Sequence, residues 1–225
     1  MTREIDIPRY AIETLLAYVE QHVDILNNEE PFYMNVNHEL RELAFGKFLD
    51  TSVIETAYIY AHTQPIPLHV DRYKKNSVYN LCVPLYKGDS DQYLLVFDQT
   101  FDKYGLSWRL ADVDHIKHKP AGPEHKQTSN NDNDHLPSEV LTGIRPCDTD
   151  GVVGLTGQAV PDHINKILPY GNDNFYFGLS GTVWNWKPGK ALIFKSSQIH
   201  GTAMQSEFKI GCVVLMNADN VQLPQ

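Results

Sequence analysis

The sequence predicts a mainly β chain of the α+β class, with helices confined to its N-terminal end. Three observations carry that expectation. After Ser52, short runs rich in β-branched and aromatic residues follow one another, bounded by Gly, Pro, Asn and Asp. No long helical pattern separates them, which favours an antiparallel sandwich or barrel over a parallel sheet with crossover helices. The clear helical periodicity lies before residue 52. A chain of 225 residues with 42% hydrophobic content can bury a full core, and its length fits one domain over 1–225. Within it, 1–52 is expected to be helical support and 53–217 the β core.

From Tyr10 to Val23, the apolar residues Tyr10, Ile12, Leu15, Leu16, Val19 and Val23 recur at helical spacing, and Pro8 stands where a first turn tolerates proline. One face of this helix should pack on something larger. A second, shorter helix is expected within Asn37–Phe48, with Leu40, Leu43, Ala44 and Phe48 on one stripe. The strand runs are VIETAYIYAH, SVYNLCVPLY, QYLLVF, NFYFGLSGTVWNW, KALIF and FKIGCVVLM. Turn signals punctuate them, with Lys87-Gly88 after the second run and Pro188-Gly189 before the fifth. An insertion of about 112–170 interrupts the strand texture. Its part from Asp112 to Asp150 is polar, Pro-rich and without period, as expected of a disordered loop or a lid over a site. One or two helical turns are expected between Pro161 and Leu168.

The formal charge of −9 and a pI near 5.5 disfavour nucleic acid as a partner, because phosphate neutralisation needs clustered Lys and Arg. Cys82, Cys147 and Cys212 are odd in number and hold no CxxC pair, so neither a disulfide framework nor a thiolate zinc site is indicated. The start MTREIDIPRY lacks an apolar signal region, and no run of about 18 apolar residues occurs. A cytoplasmic protein with no membrane partner is the expectation.

In PLHVDRY, His69 and Asp71 stand two apart, so on an extended strand both side chains leave the same face, about 6–7 Å apart at the backbone. One imidazole and one carboxylate at that spacing can share a metal. A third ligand must come from another strand, and the best candidate is His200 in SSQIHGTAMQ, just before the last strand run. Two His and one carboxylate on one face of a metal leave the opposite positions open, an arrangement diagnostic of non-haem Fe(II) oxygenases. Taken alone, the pair also reads as a polar strand-end His and a turn Asp.

Downstream lies WNWKPGKALIFKSSQIHGTAMQSEFKIGCVVLM: a Pro-Gly turn, a short apolar strand, His200-Gly201, then Lys209 and a final apolar strand. With the HxD pair, this order resembles the prolyl 4-hydroxylase-like branch of the 2-oxoglutarate and Fe(II)-dependent dioxygenases. The resemblance implies a double-stranded β-helix, a jelly-roll (cupin-like) core with helices on one outer face. It also implies that His69, Asp71 and His200 bind Fe(II) and act in catalysis. Lys209 would pair with the distal carboxylate of 2-oxoglutarate, a carboxylate that Tyr60, nine residues before His69, would also reach. The implied activity is hydroxylation of a small molecule or peptide with release of succinate and CO2, ascorbate being a possible auxiliary reductant. A doubly charged co-substrate in an apolar barrel needs a buried cation, and Lys209 is the only charged residue in FKIGCVVLM. The alternative for Lys209 is a lysine guarding an edge strand.

Asn80 and Thr202 are candidate polar neighbours of the co-substrate, and Arg72, directly after the HxD, is a candidate contact for an anionic substrate. Arg72 and Tyr73 should lie near the mouth of such a site. His115, His118, His125 and His135 read as solvated loop residues, and Trp184 and Trp186 as strand packing. Two rival functions remain. One is a cupin-like metal enzyme that makes no use of 2-oxoglutarate, and the other is a non-catalytic β-sandwich binding module.

Overall fold

The computed structural model describes residues 2–22, 32–63, 66, 68–71, 78–88, 91–101, 107–109, 140–142, 152–167, 178–203 and 208–217. Strand β1 (Arg3–Asp6) leads into helix α1 (Arg9–His22), strand β2 (Phe32–Asn35) and helix α2 (His38–Phe45). Then come β3 (Ile54–His62), β4 (Tyr79–Lys87), β5 (Tyr93–Phe101), β6 (Ser107–Arg109), β7 (Val140–Thr142) and β8 (Val152–Val153). A short helix α3 (Asp162–Asn165) precedes β9 (Gly181–Asn185), β10 (Lys190–Lys195), β11 (Gln198–Thr202) and β12 (Lys209–Met216).

Two antiparallel sheets hold the architecture. The larger runs β1-β10-β4-β12-β3-β2. In the smaller, β5 pairs with β11 on one side and with β9 and β8 on the other. His69 bridges antiparallel to His200, so residues 68–70 extend the smaller sheet beyond β11. β6 and β7 pair in parallel with each other. Among the described residues, no helix is long and apolar enough to cross a membrane.

Alternation along the strands sorts side chains onto two faces of the larger sheet. Ala57, Ile59 and Ala61 of β3, Leu81, Val83 and Leu85 of β4, and Ile210, Cys212, Val214 and Met216 of β12 face outward. There they pack with Ala11, Ile12, Leu15 and Val19 of α1 and with Leu40, Ala44 and Phe45 of α2. Each aliphatic side chain fully buried here contributes about 1.5–3 kcal/mol. The opposite parity of the same strands turns inward, where Tyr60, Cys82, Leu192, Phe194, Val213 and Leu215 meet Leu94 and Val96 of β5. Asn80 and Lys209 share that inward parity and are fully buried.

The first helix matches its periodicity. The second is shorter than Asn37–Phe48 because Asn37 caps its start, its side chain accepting from the Leu40 amide at 2.9 Å, and Gly46 caps its end. Three expectations are corrected. The first 52 residues supply strands as well as helices, β1 against β10 and β2 against β3. These are four-residue elements, REID and FYMN, with alternate positions exposed, too short to register as apolar runs. Next, His200 stands ahead of the last strand, as expected, but within a strand of its own, β11. All five residues of QIHGT are buried, so no apolar-polar alternation marks the element. Finally, the insertion over 112–170 carries strands in β7 and β8, while α3 falls within Pro161–Leu168 as expected.

Gly201 lets the two liganding strands meet. A Cβ there would come within 2.8 Å of Leu68 Cδ2 and 3.0 Å of the Ile66 carbonyl oxygen. The His-Gly pair is thus a packing requirement of the edge that carries His69.

Candidate metal centre

The seam between residues 68–70 and β11 builds the centre from two distant parts of the chain. The His69 amide donates to the His200 carbonyl at 2.8 Å, and the His200 amide returns a bond to His69 at 2.9 Å. Thr202 also donates its amide to the Ile66 carbonyl, and its hydroxyl accepts from the Ile66 amide at 2.6 Å. The Asp71 amide donates to Ser196 at 3.0 Å, anchoring the far end of the segment. These bonds set the two imidazoles side by side, ring centroids 4.2 Å apart.

Asp71 then reaches both rings. Its Oδ1 lies 3.4 Å from His69 Nε2 and its Oδ2 lies 3.1 Å from His200 Nε2. One donor atom from each residue falls within 4.8 Å of the others, close enough for one ion. Asp71 and His200 are buried, while His69 is partly exposed, so the centre opens past His69. Burial alone would raise the Asp71 pKa; the imidazoles of His200 and His69 outweigh it and hold the carboxyl well below its usual range. Burial, aided by the neighbouring His69, lowers the pKa of His200.

The hydrogen bonds around His200 test whether a metal fits. Its Nδ1 lies 2.9 Å from the Gln198 carbonyl and its Nε2 lies 3.1 Å from Asp71 Oδ2. A neutral imidazole has one N–H and cannot donate to both acceptors. With Nδ1–H donating to Gln198, the Nε2 lone pair meets a carboxylate oxygen, a repulsive contact that a shared divalent cation would make attractive. The same Nδ1–H bond to a backbone carbonyl is a usual way to orient a liganding histidine.

Asn80 supports the carboxylate from β4. Its Nδ2 donates to Asp71 Oδ2 at 2.7 Å, and its buried Oδ1 has no hydrogen-bond partner among the described residues. Asn80→Ala is expected to leave the fold intact and weaken Ni(II) binding by about 10–100-fold, as loss of an outer partner typically does. Calorimetric titration of the apoprotein with Ni(II) measures this, and unchanged affinity would show that Asp71 needs no such support.

Lys209 opens β12 and is 0% exposed, its Nζ 5.2 Å above the Trp186 ring. Burial lowers its pKa to about 7, opposed by the Cys82 thiol. The Trp186 indole is fixed by its Nε1–H, which donates to Tyr86 at 3.2 Å. It fits because Gly211 has no side chain, since a Cβ there would come 2.7 Å from the ring. On β12, Lys209 stands opposite His62 and Leu215 opposite Asn80. Lys209 and Leu215, the partner of Asn80, therefore lie on one inner face, six positions apart on β12. Between them lies Cys82, whose thiol is pushed up to about 12 by burial first, with Tyr60 and Lys209 lowering it and Asp71 raising it. Tyr60 is buried, its hydroxyl 3.9 Å from Cys82 Sγ.

His69, Asp71, His200 and Asn80 are therefore brought together at one end, with Lys209 and Tyr60 further along the inner face. Thr202 ties its strand to Ile66, its hydroxyl accepting from the Ile66 amide. Lys209 stands on an interior strand of the larger sheet, not on an edge. Arg72, Tyr73 and the four loop histidines lie outside the described residues, as does Cys147. Sequence reasoning missed Trp186 as the platform under Lys209 and Cys82 as the residue between the charged groups. The alternation in WNW gave a weak signal for Trp186, and Cys82 had none beyond its place two residues after Asn80.

No family model matches the chain, and no curated protein matches it. Among solved structures it is similar to the epimerase SnoN in complex with Fe3+, alpha ketoglutarate and nogalamycin RO, with 10% identity over 100% of this chain and 81% of that one, at a TM-score of 0.44. It is similar also to the non-heme alpha ketoglutarate dependent carbocyclase SnoK from nogalamycin biosynthesis, with 10% identity over 95% of this chain and 80% of that one, at 0.43. A third similar structure is E. coli ycfD, with 11% identity over 84% of this chain and 34% of that one, at 0.35. Such low identities and TM-scores leave the chain's own side chains to identify its chemistry.

Proposed function

We propose that the protein is a mononuclear non-haem Fe(II), 2-oxoglutarate-dependent oxygenase that hydroxylates a small molecule or peptide. The observation that carries the reading is the His69, Asp71, His200 cluster with a fully buried lysine on the same inner face. Strand order supports it. From β3 the chain visits the larger sheet, the smaller at 68–70, the larger at β4, the smaller at β5 and β9, the larger at β10, the smaller at β11 and the larger at β12. That alternation supports a jelly-roll winding, and with the HxD pair, His200 and Lys209 it suits the prolyl 4-hydroxylase-like branch of this superfamily.

Iron, 2-oxoglutarate and dioxygen together supply the oxidising power for C–H oxidation, with release of succinate and CO2. The chain's residues prepare the place. His69 and His200 offer Nε2, with His200 held to one tautomer by Gln198. Asp71 offers a carboxylate that Asn80 orients and the imidazoles keep ionised. Lys209, held over Trp186, offers a cation to a distal carboxylate, and the Tyr60 hydroxyl lies on the same face. Apolar side chains of both sheets exclude water between them, which strengthens that ionic pairing.

Anaerobic addition of Fe(II) and then 2-oxoglutarate to the apoprotein tests the proposal. The expected result is the weak visible charge-transfer band of the chelate, lost in His69→Ala. No band in the wild type, or an undiminished one in the variant, would falsify the assignment.

A further inference from the structure

We propose that Gln198 is a positioning residue for the metal centre, its side chain and the Thr2 hydroxyl locking the turn that orients both His200 and Asp71. The inference rests on the metal centre of the oxygenase reading and extends it from the ligands to the turn behind them.

The turn between β10 and β11 touches two of the three candidate ligands through its main chain. The Gln198 carbonyl accepts from His200 Nδ1 at 2.9 Å, and the Ser196 carbonyl accepts from the Asp71 amide at 3.0 Å. Any drift of this turn would therefore rotate the His200 ring and move Asp71 together. The sheet ladder does not fix the turn by itself, because the register of β11 on β5 shifts between Gln198 and His200. Irregularities of this kind recur beside active sites, where they aim a side chain. Something else has to hold the Gln198 carbonyl at the angle that the imidazole needs.

The Gln198 side chain does so. It is buried, and both ends of its amide are engaged. Oε1 accepts from the Lys195 amide at 3.0 Å, which closes the turn on itself. Nε2 donates to the Phe97 carbonyl at 2.9 Å, which ties the turn to β5. Nε2 also donates to the Thr2 hydroxyl at 3.1 Å, and that hydroxyl lies 3.3 Å from Oε1. Thr2 leads into β1, which pairs with β10 at the edge of the larger sheet. One amide thus joins the start of the chain, β5 of the smaller sheet and the turn that serves two ligands. Ordering a glutamine costs more side-chain entropy than ordering an aliphatic residue in the same space. What the amide adds is direction, since hydrogen bonds fix an angle where apolar packing only fills a volume.

Titration of the apoprotein with Co(II) tests the lock, read both by affinity and by the visible absorption of the bound ion, whose shape reports its coordination geometry. The wild type should take up one ion per chain. Gln198→Leu keeps the main-chain carbonyl and nearly the same volume, yet should weaken binding by about tenfold or more and alter the spectrum. Thr2→Val removes one neutral hydrogen-bonding partner of the lock and should weaken binding by about threefold. Thr2→Ser restores the hydroxyl and should bind as the wild type does. Thr2 is only partly buried, so its variants fold even where Gln198→Leu does not, and melting curves confirm this. A merely structural role would lower the melting temperature of the apo variants and leave Co(II) affinity and spectrum unchanged. That outcome, or an equal loss in Thr2→Val and Thr2→Ser, overturns the proposal, while uptake by the wild type leaves the metal centre standing. No uptake by the wild type sinks the centre and the lock together.

Discussion

Asp71→Ala is expected to abolish stoichiometric metal binding, lowering Ni(II) or Fe(II) affinity by well over about a hundredfold, beyond the loss seen when an outer partner is removed. The reason is positional as well as chemical. Asp71 faces both imidazoles and accepts from Asn80, so the substitution removes a ligand and leaves the buried His200 and Asn80 and the partly exposed His69 without their common partner. Elemental analysis of protein purified with metal, and the melting shift on adding Ni(II), read the effect. A variant that still takes up one ion per chain would move the centre elsewhere. The metal-free protein should respond too. Asp71 has a depressed pKa in the folded state, so the stability it contributes is present above the unfolded carboxylate range near 4 and lost as pH falls through the folded value. His200 acts in the same direction, because its lowered pKa makes the unfolded chain the better proton acceptor in acid. The melting temperature of wild-type apoprotein should fall on acidification, and the gap to Asp71→Ala should narrow.

Lys209→Met should separate the metal from the co-substrate. One ion per chain is expected to remain, since Lys209 is not in the His69, Asp71, His200 cluster, while 2-oxoglutarate affinity falls by about a hundredfold or more. Breaking a buried, hydrogen-bonded charge pair costs about 2–5 kcal/mol, which corresponds to that range. The charge-transfer band titrated with 2-oxoglutarate measures it, and unchanged affinity would favour a metal enzyme that uses no such co-substrate. The substitution also has a signature in the apoprotein. With a folded pKa of about 7 against an ordinary 10.5, Lys209 releases a proton in the folded chain that the unfolded chain keeps. Between those values wild-type stability should rise with pH by a few kcal/mol, whereas below about pH 7 the full penalty of burying a charge applies. Lys209→Met should lack that rise and melt above the wild type near neutrality, an outcome read from melting curves at several pH values.

The features most legible in the sequence were those that simple periodicity encodes. Short runs rich in β-branched and aromatic residues mark β3, β4, β10 and β12 as strands, and the spacing in α1 marks a helix, because each buries apolar side chains. The HxD pair could be read because two positions on a strand share a face. β11 could not, since QIHGT is buried on both sides and carries polar groups that serve the centre instead of the core. Asn80 was visible only as a polar residue within an apolar run, and its bond to Asp71 depends on how two sheets face each other. The platform under Lys209 depends on Gly211 and Trp186, from different strands, so neither residue announces it alone.

The antiparallel bridge between His69 and His200 joins residues 131 positions apart in the chain at the border of the smaller sheet. Its donor atoms straddle the border, one imidazole on each side and the carboxylate just beyond. An ion seated there acts as a rivet across a seam that otherwise relies on a few backbone bonds. Its binding energy becomes, in part, the energy of closing that seam. Binding of an ion at this border would add to the stability of the seam, and loss of the ion would first be felt as fraying of one strand, not as damage to the core.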